Sequence, residues 1–268
     1  MSQSRIILIT GSTDGLGRRV AEKLAGPDVD LLLHGRNAAR GKAVVGAVEK
    51  AGGSAKFYQA DFASLAGVRS LAEAVRAEHD QLDVLVNNAG IALPGSERQK
   101  SPDGFELTFA VNYLATFLLT HLLRPLLGAK RPSKVVNVAS AGQRPIDFDD
   151  VMLERGYDGH RAYAQSKLAQ ILFTFDLAEE LKGTGVTANC LHPATYMDTT
   201  MVRNGGIRPL NSVDTGADAV LALVNDDRNI SGRYFDVQRE TRANAQAYDR
   251  DARRRLKALS LELTGLDA

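Results

Sequence analysis

The chain has 268 residues, 44% hydrophobic and 24% charged, and its 33 basic and 32 acidic side chains leave a formal charge of +1. That apolar content excludes a disordered chain, which lacks the burial to offset ordering entropy, and the length is enough for a sizeable core. A near-zero charge argues against nucleic acid or an anionic membrane as the main partner. The single cysteine, Cys190, makes no internal disulfide, and no Cys/His cluster has zinc spacing. A reducing, cytoplasmic setting and no metal are therefore expected.

In chain order, Arg5–Thr10, Val29–His34, Ala55–Gln59, Leu82–Val86, Ser133–Ala139, Thr187–Leu191 and Arg233–Phe235 read as strands. Helical patterns lie near 15–26, 37–51, 64–79, 103–127, 160–182, 212–224 and 241–263. Most strands are apolar on successive residues, as strands covered on both faces are. The alternation predicts one α/β domain over 1–268: a doubly wound, Rossmann-type parallel sheet of about seven strands with helices on both faces. The apolar stretch Phe105–Leu127 is interrupted by Asn112, His121, Arg124 and Pro125, so it reads as a buried helix and not a membrane span. The N-terminus lacks a cleavable-leader pattern. The basic run Arg253-Arg254-Arg255-Leu256-Lys257 reads as a solvated helix face, with Leu256, Leu259 and Leu263 on the buried side. Segments 94–102, 143–159 and 195–209 each follow a strand, which places them at the carboxyl edge of the sheet as candidate substrate walls.

The first strand runs into Gly11, Ser12, Thr13, Asp14, Gly15, Leu16 and Gly17, and a helix follows. Glycines at 11, 15 and 17 allow a tight turn and bring backbone N–H groups, with the helix N-terminus, close to a pyrophosphate. Placement after the first strand of a βαβ unit marks a dinucleotide turn. Cofactor choice is read at the end of the second strand, where an acid would accept from a ribose 2′-hydroxyl and favour NAD(H). Here the residues are His34-Gly35-Arg36-Asn37, with no acid until Glu49. Asp30 lies at the other end of that strand, roughly 13 Å away at ~3.3 Å per residue. Arg36 can pair with a 2′-phosphate through its fork of donors, so NADP(H) is expected over NAD(H), and an aspartate placed at Gly35 should reverse the choice.

Tyr163 and Lys167 stand one turn apart on one helix face. A phenol of ordinary pKa, about 10, is a poor base near neutrality, and a nearby ammonium favours the phenolate. Ser140, at the end of the preceding strand, can hydrogen-bond the same substrate oxygen.

With these motifs in register, the chain resembles the short-chain dehydrogenase/reductase family over nearly its whole length, in the short single-domain branch. Thr10–Gly17 is similar to that family's glycine turn, and Asn87-Asn88-Ala89-Gly90 to its motif after the fourth strand. Asn112, Ser140, Tyr163 and Lys167 fall in the order of its catalytic tetrad. Asp103-Gly104-Phe105-Glu106, Val111-Asn112-Tyr113-Leu114 and Leu259 through Leu266 look most like the retinol-dehydrogenase-like group.

The resemblance implies roles. Tyr163 is the general acid in reduction and the base in oxidation. Lys167 lowers the Tyr163 pKa and binds the nicotinamide ribose, Ser140 orients the carbonyl, and Asn112 holds a water in a relay to Lys167. Asp61 and Phe62 contact adenine; Asn37, Asn88, Ala89, Gly90, Pro193 and Thr195 complete the cofactor contacts. Hydride passes directly between cofactor and substrate carbon.

Three departures stand out. His192-Pro193-Ala194 replaces the usual Pro-Gly, Ala115 stands where relatives often have glycine, and Asp14 occupies a turn position where many NADP-preferring relatives carry a basic residue. A carbonyl reductase or alcohol dehydrogenase is the leading reading, and a catalytically idle dinucleotide-binding sensor or scaffold is the alternative. A sugar-nucleotide epimerase is disfavoured, because 33 residues after Phe235 are too few for a sugar domain. The partner is a small carbonyl or alcohol. Phe148, Met152, Leu153 and Tyr157 fit either an apolar pocket or packing of their loop, and monomer and homo-oligomer both stay open.

Overall fold

Strands whose successive residues are all apolar need cover on both sides, and alternate residues here enter opposite cores. The computed structural model describes residues 4–267. In chain order it contains β1 (Arg5–Ile9), α1 (Gly15–Leu24), β2 (Val29–Gly35), α2 (Ala38–Lys50), β3 (Ser54–Gln59) and α3 (Leu65–Glu78). There follow β4 (Val84–Asn87), α4 (Leu107–Phe109), α5 (Ala115–Leu123), β5 (Ser133–Val138), α6 (Gly159–Glu180) and β6 (Val186–His192). The chain closes with α7 (Thr200–Asn204), α8 (Val213–Val224), β7 (Tyr234–Asp236), β8 (Arg239–Glu240) and α9 (Arg250–Thr264).

From β1, Leu8 enters the core beneath α3, α5, α6 and α9, while Ile7 and Ile9 enter the core beneath α1, α2 and α8. β2 splits in the same way, Leu32 to the first core and Leu31 and Leu33 to the second. Each such side chain, fully removed from water, contributes about 1.5–3 kcal/mol of transfer free energy. The strand order is β3-β2-β1-β4-β5-β6-β7-β8, parallel throughout except for the last pair. Chain direction across the sheet reverses between β1 and β4, and such a switch point opens a crevice at the carboxyl ends of the strands. The glycine turn and Asn88–Gly90 both lie there.

The doubly wound sheet is as expected, with eight strands instead of about seven; the extra one is the two-residue β8, antiparallel to β7. The predicted helix over 103–127 is broken into α4, a π-helical turn Ala110–Leu114, α5, and a 3-10 turn Arg124–Leu126 that contains Pro125. Its apolar stretch Leu107–Leu126 is long enough to cross a membrane, but 78% of it is buried inside the protein. The predicted helix over 241–263 begins as a 3-10 turn, Ala245–Tyr248, and becomes α-helical only after Asp249, whose carboxylate caps α9. The basic run is not uniformly solvated: Arg253 is buried between Asp176 and Glu179 of α6. The guanidinium is long enough to fill an inter-helix seam that its neighbours in sequence turn away from.

Candidate active site

The glycine turn is held from three sides. Gly11 has φ +64°, and a Cβ on it would lie 2.8 Å from the Ala89 Cα; a Cβ on Gly17 would meet the Gly11 carbonyl at 2.4 Å. Thr10 Oγ1 accepts from the backbone N–H groups of Asn88 and Ala89, both at 3.0 Å, and Asn88 Nδ2 donates to the carbonyls of Thr10 and Gly11. The Gly11 N–H donates to His34 Nδ1 at 3.2 Å, so the ring proton sits on Nε2, which faces the Ala60 carbonyl at 3.2 Å. Burial pushes the His34 pKa down to about 4 and keeps it neutral in this role. Ser12, expected at the cofactor, is fully buried, and its Oγ is tied to the His34 backbone. Phe62 likewise turns its ring inward, stacked on His34 at 4.0 Å, and Asp61 before it is exposed.

At the outer edge, Arg36 is exposed just beyond β2, and Asn37 caps α2 by accepting from the Arg40 N–H. Asp14 caps α1, and its carboxylate also pairs with Arg40 at 3.2 Å and accepts from Thr200 Oγ1 at 2.9 Å. Its charge is thereby offset, so it opposes a nearby phosphate less than an isolated carboxylate does. A Cβ on Gly35 would stand 2.6 Å from Thr13 Cγ2 and 2.7 Å from Thr13 Oγ1, so any side chain there requires the Thr13 side chain to move.

The strand β5 and the helix α6 bring Ser140, Tyr163 and Lys167 together. A Cβ on Gly142 would lie 3.5 Å from Ser140 Oγ and 3.9 Å from Tyr163 Cε1, so the two side chains border one space, and the Lys167 Nζ lies 5.7 Å from the Tyr163 ring centroid. Burial raises the Tyr163 pKa and the Ser140 hydrogen bond opposes the rise. Burial also lowers Lys167 to about 7, so the ammonium that should favour the phenolate is itself only partly charged at neutral pH. Lys167 Nζ donates to the Val138 carbonyl and to Gln170 Oε1, both at 2.9 Å. The Ser140 carbonyl is fixed by Tyr234 Oη at 3.1 Å and Gln143 Nε2 at 2.8 Å.

Asn112 sits in the π-helical turn. Its Nδ2 donates to the Ile91 carbonyl and Ser166 Oγ, and its Oδ1 accepts from the Ile91 N–H. The side chain thus clasps the loop after β4 to α6. Its Oδ1 and Lys167 Nζ face a common space above Gly90, where a Cβ would be 3.2 Å from the one and 3.5 Å from the other. The amide oxygen and the Lys167 amine thus meet over Gly90, where a side chain would crowd both, and the glycine turn presents the N-terminus of α1, the kind of site that receives a pyrophosphate.

The comparisons with known proteins agree with this geometry. Residues 5–207 match the model of the short chain dehydrogenase family. The chain belongs to the short-chain dehydrogenase family. It is 34% identical to retinol dehydrogenase 13 of Mus musculus over 288 aligned positions, covering 98% of this chain and 84% of that one. An uncharacterized protein from Mycobacterium Paratuberculosis superposes with a TM-score of 0.82 at 29% identity, covering 99% of this chain and 95% of that one. A short chain dehydrogenase from Burkholderia cenocepacia J2315, in complex with NADP, superposes at 0.72 with 30% identity, over 87% of this chain and 96% of that one. As a short-chain dehydrogenase of the retinol-dehydrogenase-like group, it is an oxidoreductase of carbonyls and alcohols that binds a nicotinamide dinucleotide.

Around this short-chain dehydrogenase site the three loops differ. Segments 94–102 and 143–159 pack on each other through Arg98 Nε to the Met152 carbonyl and through the Gly95 carbonyl to Gly159 N–H. Leu153 is 1% exposed, Phe148 and Met152 pack against the core, and Tyr157 Oη donates to buried Glu106. Of the two readings of these apolar side chains, loop packing is the one the structure has. Segment 195–209 instead crosses the glycine turn, with Thr199 Cγ2 3.2 Å from a Cβ on Gly15 and Thr200 on Asp14. Pro193 packs toward Gly216, and Thr195 Oγ1 bonds His192 Nε2 at 3.0 Å. His34, Arg40, Gln170, Thr200 and Tyr234 were not singled out by motif. Only Gln170 carried a usable sign, three residues after Lys167 on the same helix face.

Proposed function

We propose that this chain interconverts an apolar carbonyl compound and its alcohol using NADP(H), with Tyr163 as general acid in reduction and general base in oxidation. The observation that carries this reading is the convergence of Ser140 and Tyr163 beside Gly142, with Lys167 Nζ 5.7 Å from the Tyr163 ring. The bound dinucleotide supplies the hydride. Ser140 Oγ donates to the substrate oxygen and holds it against the Tyr163 hydroxyl, which delivers the proton. Lys167 donates to the nicotinamide ribose and, when protonated, lowers the cost of the phenolate. The Asn112 amide holds the floor of the site, and its Oδ1 is placed to accept from a water bridging to Lys167. Gly11 through Gly17 and the α1 N-terminus receive the pyrophosphate, Asn88–Gly90 and Pro193–Thr195 flank the nicotinamide half, and Asp61 receives the adenine.

NADP(H) is favoured by exposed Arg36, by Arg40 beside Asp14, and by the lack of an acidic side chain in His34-Gly35-Arg36-Asn37 at the end of β2. Solved relatives bound to NADP support the same choice. An apolar substrate is favoured by the 195–209 region: three of the four exposed large hydrophobics among the described residues, Tyr196, Met201 and Leu210, lie in it or at its border. The test is NADPH oxidation against a panel of aliphatic and aromatic aldehydes and ketones, beside paired dissociation constants for NADPH and NADH. Turnover of apolar carbonyls and tighter binding of NADPH are expected. A preference for NADH would overturn the cofactor assignment.

A further inference from the structure

The geometry points to Gln170 as a positioning residue that holds the Lys167 ammonium beside Tyr163 by accepting a hydrogen bond from Nζ. This rests on the roles of Tyr163 and Lys167 given above. Gln170 is fully buried on α6, and its Oε1 lies 2.9 Å from Lys167 Nζ. The orientation of its amide is decided by its surroundings. Nε2 faces Thr116 Oγ1 at 3.4 Å, and the Thr116 hydroxyl already donates to the Asn112 carbonyl at 3.0 Å, so it presents only a lone pair. Flipping the amide would set an N–H₂ against the ammonium and an oxygen against that lone pair.

The backbone beneath is also pinned. Thr174 Oγ1 donates to the Gln170 carbonyl at 2.7 Å and accepts from Asn137 Nδ2 at 2.8 Å, which ties this turn of α6 to β5.

The Lys167 ammonium has three protons. Two are taken by the Val138 carbonyl and Gln170 Oε1, which leaves the third for the space above Gly90. Around Nζ, β5 contributes a neutral carbonyl and the π-helical turn a neutral amide, and Tyr163 is the titratable side chain whose ring it overlies. Nothing anionic there holds the proton on Lys167, and burial drives it off near neutrality. A neutral acceptor is therefore decisive. It stabilises the charge without cancelling its field at Tyr163, as a carboxylate would.

The experiment titrates Lys167 by ¹³Cε NMR in full-length protein, the signal being assigned by its loss in Lys167→Met. Gln170→Met keeps the side-chain length and removes the acceptor; the Lys167 titration should move down by about one pH unit or more. Gln170→Glu should move it up. At pH 7, Gln170→Met should lower turnover about tenfold with little change in KM for the carbonyl, and Gln170→Asn, whose amide is one methylene short, should shift the titration in the same direction if the methionine variant folds poorly. Unmoved Lys167 titrations in Gln170→Met, or in Gln170→Asn should the former not fold, would overturn the assignment. Full turnover in Tyr163→Phe would instead count against the catalytic reading alone, since the titration does not depend on it.

Discussion

Every residue of α6 from Ala164 to Phe175 is buried, whereas α7, in the 195–209 segment, buries none. The first is packed on the sheet, α5 and α9, and its polar groups are satisfied inside the core: Ser166 accepts from Asn112, Gln170 bonds Thr116 and Lys167, and Thr174 donates to the Gln170 carbonyl and accepts from Asn137. The second is tied down by exposed contacts, Arg203 to Asp198 and Thr200 to Asp14, and exposes Met201 itself, with Tyr196 and Leu210 exposed beside it. Proton transfer needs donors held to a fraction of an ångström, and a satisfied polar network inside a core supplies that rigidity. Substrate choice needs a surface that opens, and segments with little burial open at low free-energy cost. The contrast teaches that chemistry and specificity in this enzyme are separable by mutation.

The largest expected effect falls on the buried side. Tyr163→Phe keeps the ring and removes the titrating oxygen, so turnover should fall about 10²–10⁴-fold while NADPH binding, followed by fluorescence, persists. Turnover within threefold of wild type would break the assignment.

His34 comes next. Its pKa is lowered to about 4 in the fold from an ordinary 6.5, so its contribution to stability is full above pH 6.5 and is lost as pH falls from there through 4. The 2.5-unit difference corresponds to about 3 kcal/mol at the acid end. Urea unfolding between pH 7 and 4 should show that loss in the wild type and a flatter profile in His34→Gln; parallel profiles would mean that the imidazole does not carry it.

On the exposed edge, Arg36→Ala should weaken NADPH by about ten- to a hundredfold, the worth of a charge-assisted fork, and barely touch NADH. Equal losses for both cofactors would make Arg36 a support of the loop. The smallest effect is assigned to the border of segment 195–209. Leu210, 67% exposed, can be changed to serine at a cost within about 0.5 kcal/mol of stability. The melting temperature should hold while KM for a long-chain aldehyde rises a few-fold. A falling melting temperature with unchanged KM would erase the contrast between α6 and the 195–209 region.

Much of this was legible in short windows of sequence. The run Arg5–Ile9, the glycine turn behind it and the four-residue spacing of Tyr163 and Lys167 are local patterns, and backbone geometry converts each directly into strand, turn and shared helix face. The break within 103–127 was less legible. Apolar residues continue through it, and the π-helical turn follows from seating Asn112 on both Ile91 and Ser166, which lie 21 and 54 residues away.

The sequence by itself thus determined the strand–helix alternation, the dinucleotide turn and the identities of the reacting side chains. Only the tertiary structure decided their states. It made His34 a neutral acceptor for Gly11, buried Arg253 in the seam against α6, set Thr13 over Gly35, and lowered the Lys167 pKa to about 7 by burying it. The physical reason is the same in each case. Protonation and steric room depend on burial and on partners brought from distant positions, whereas periodicity and spacing record only which residues share a face.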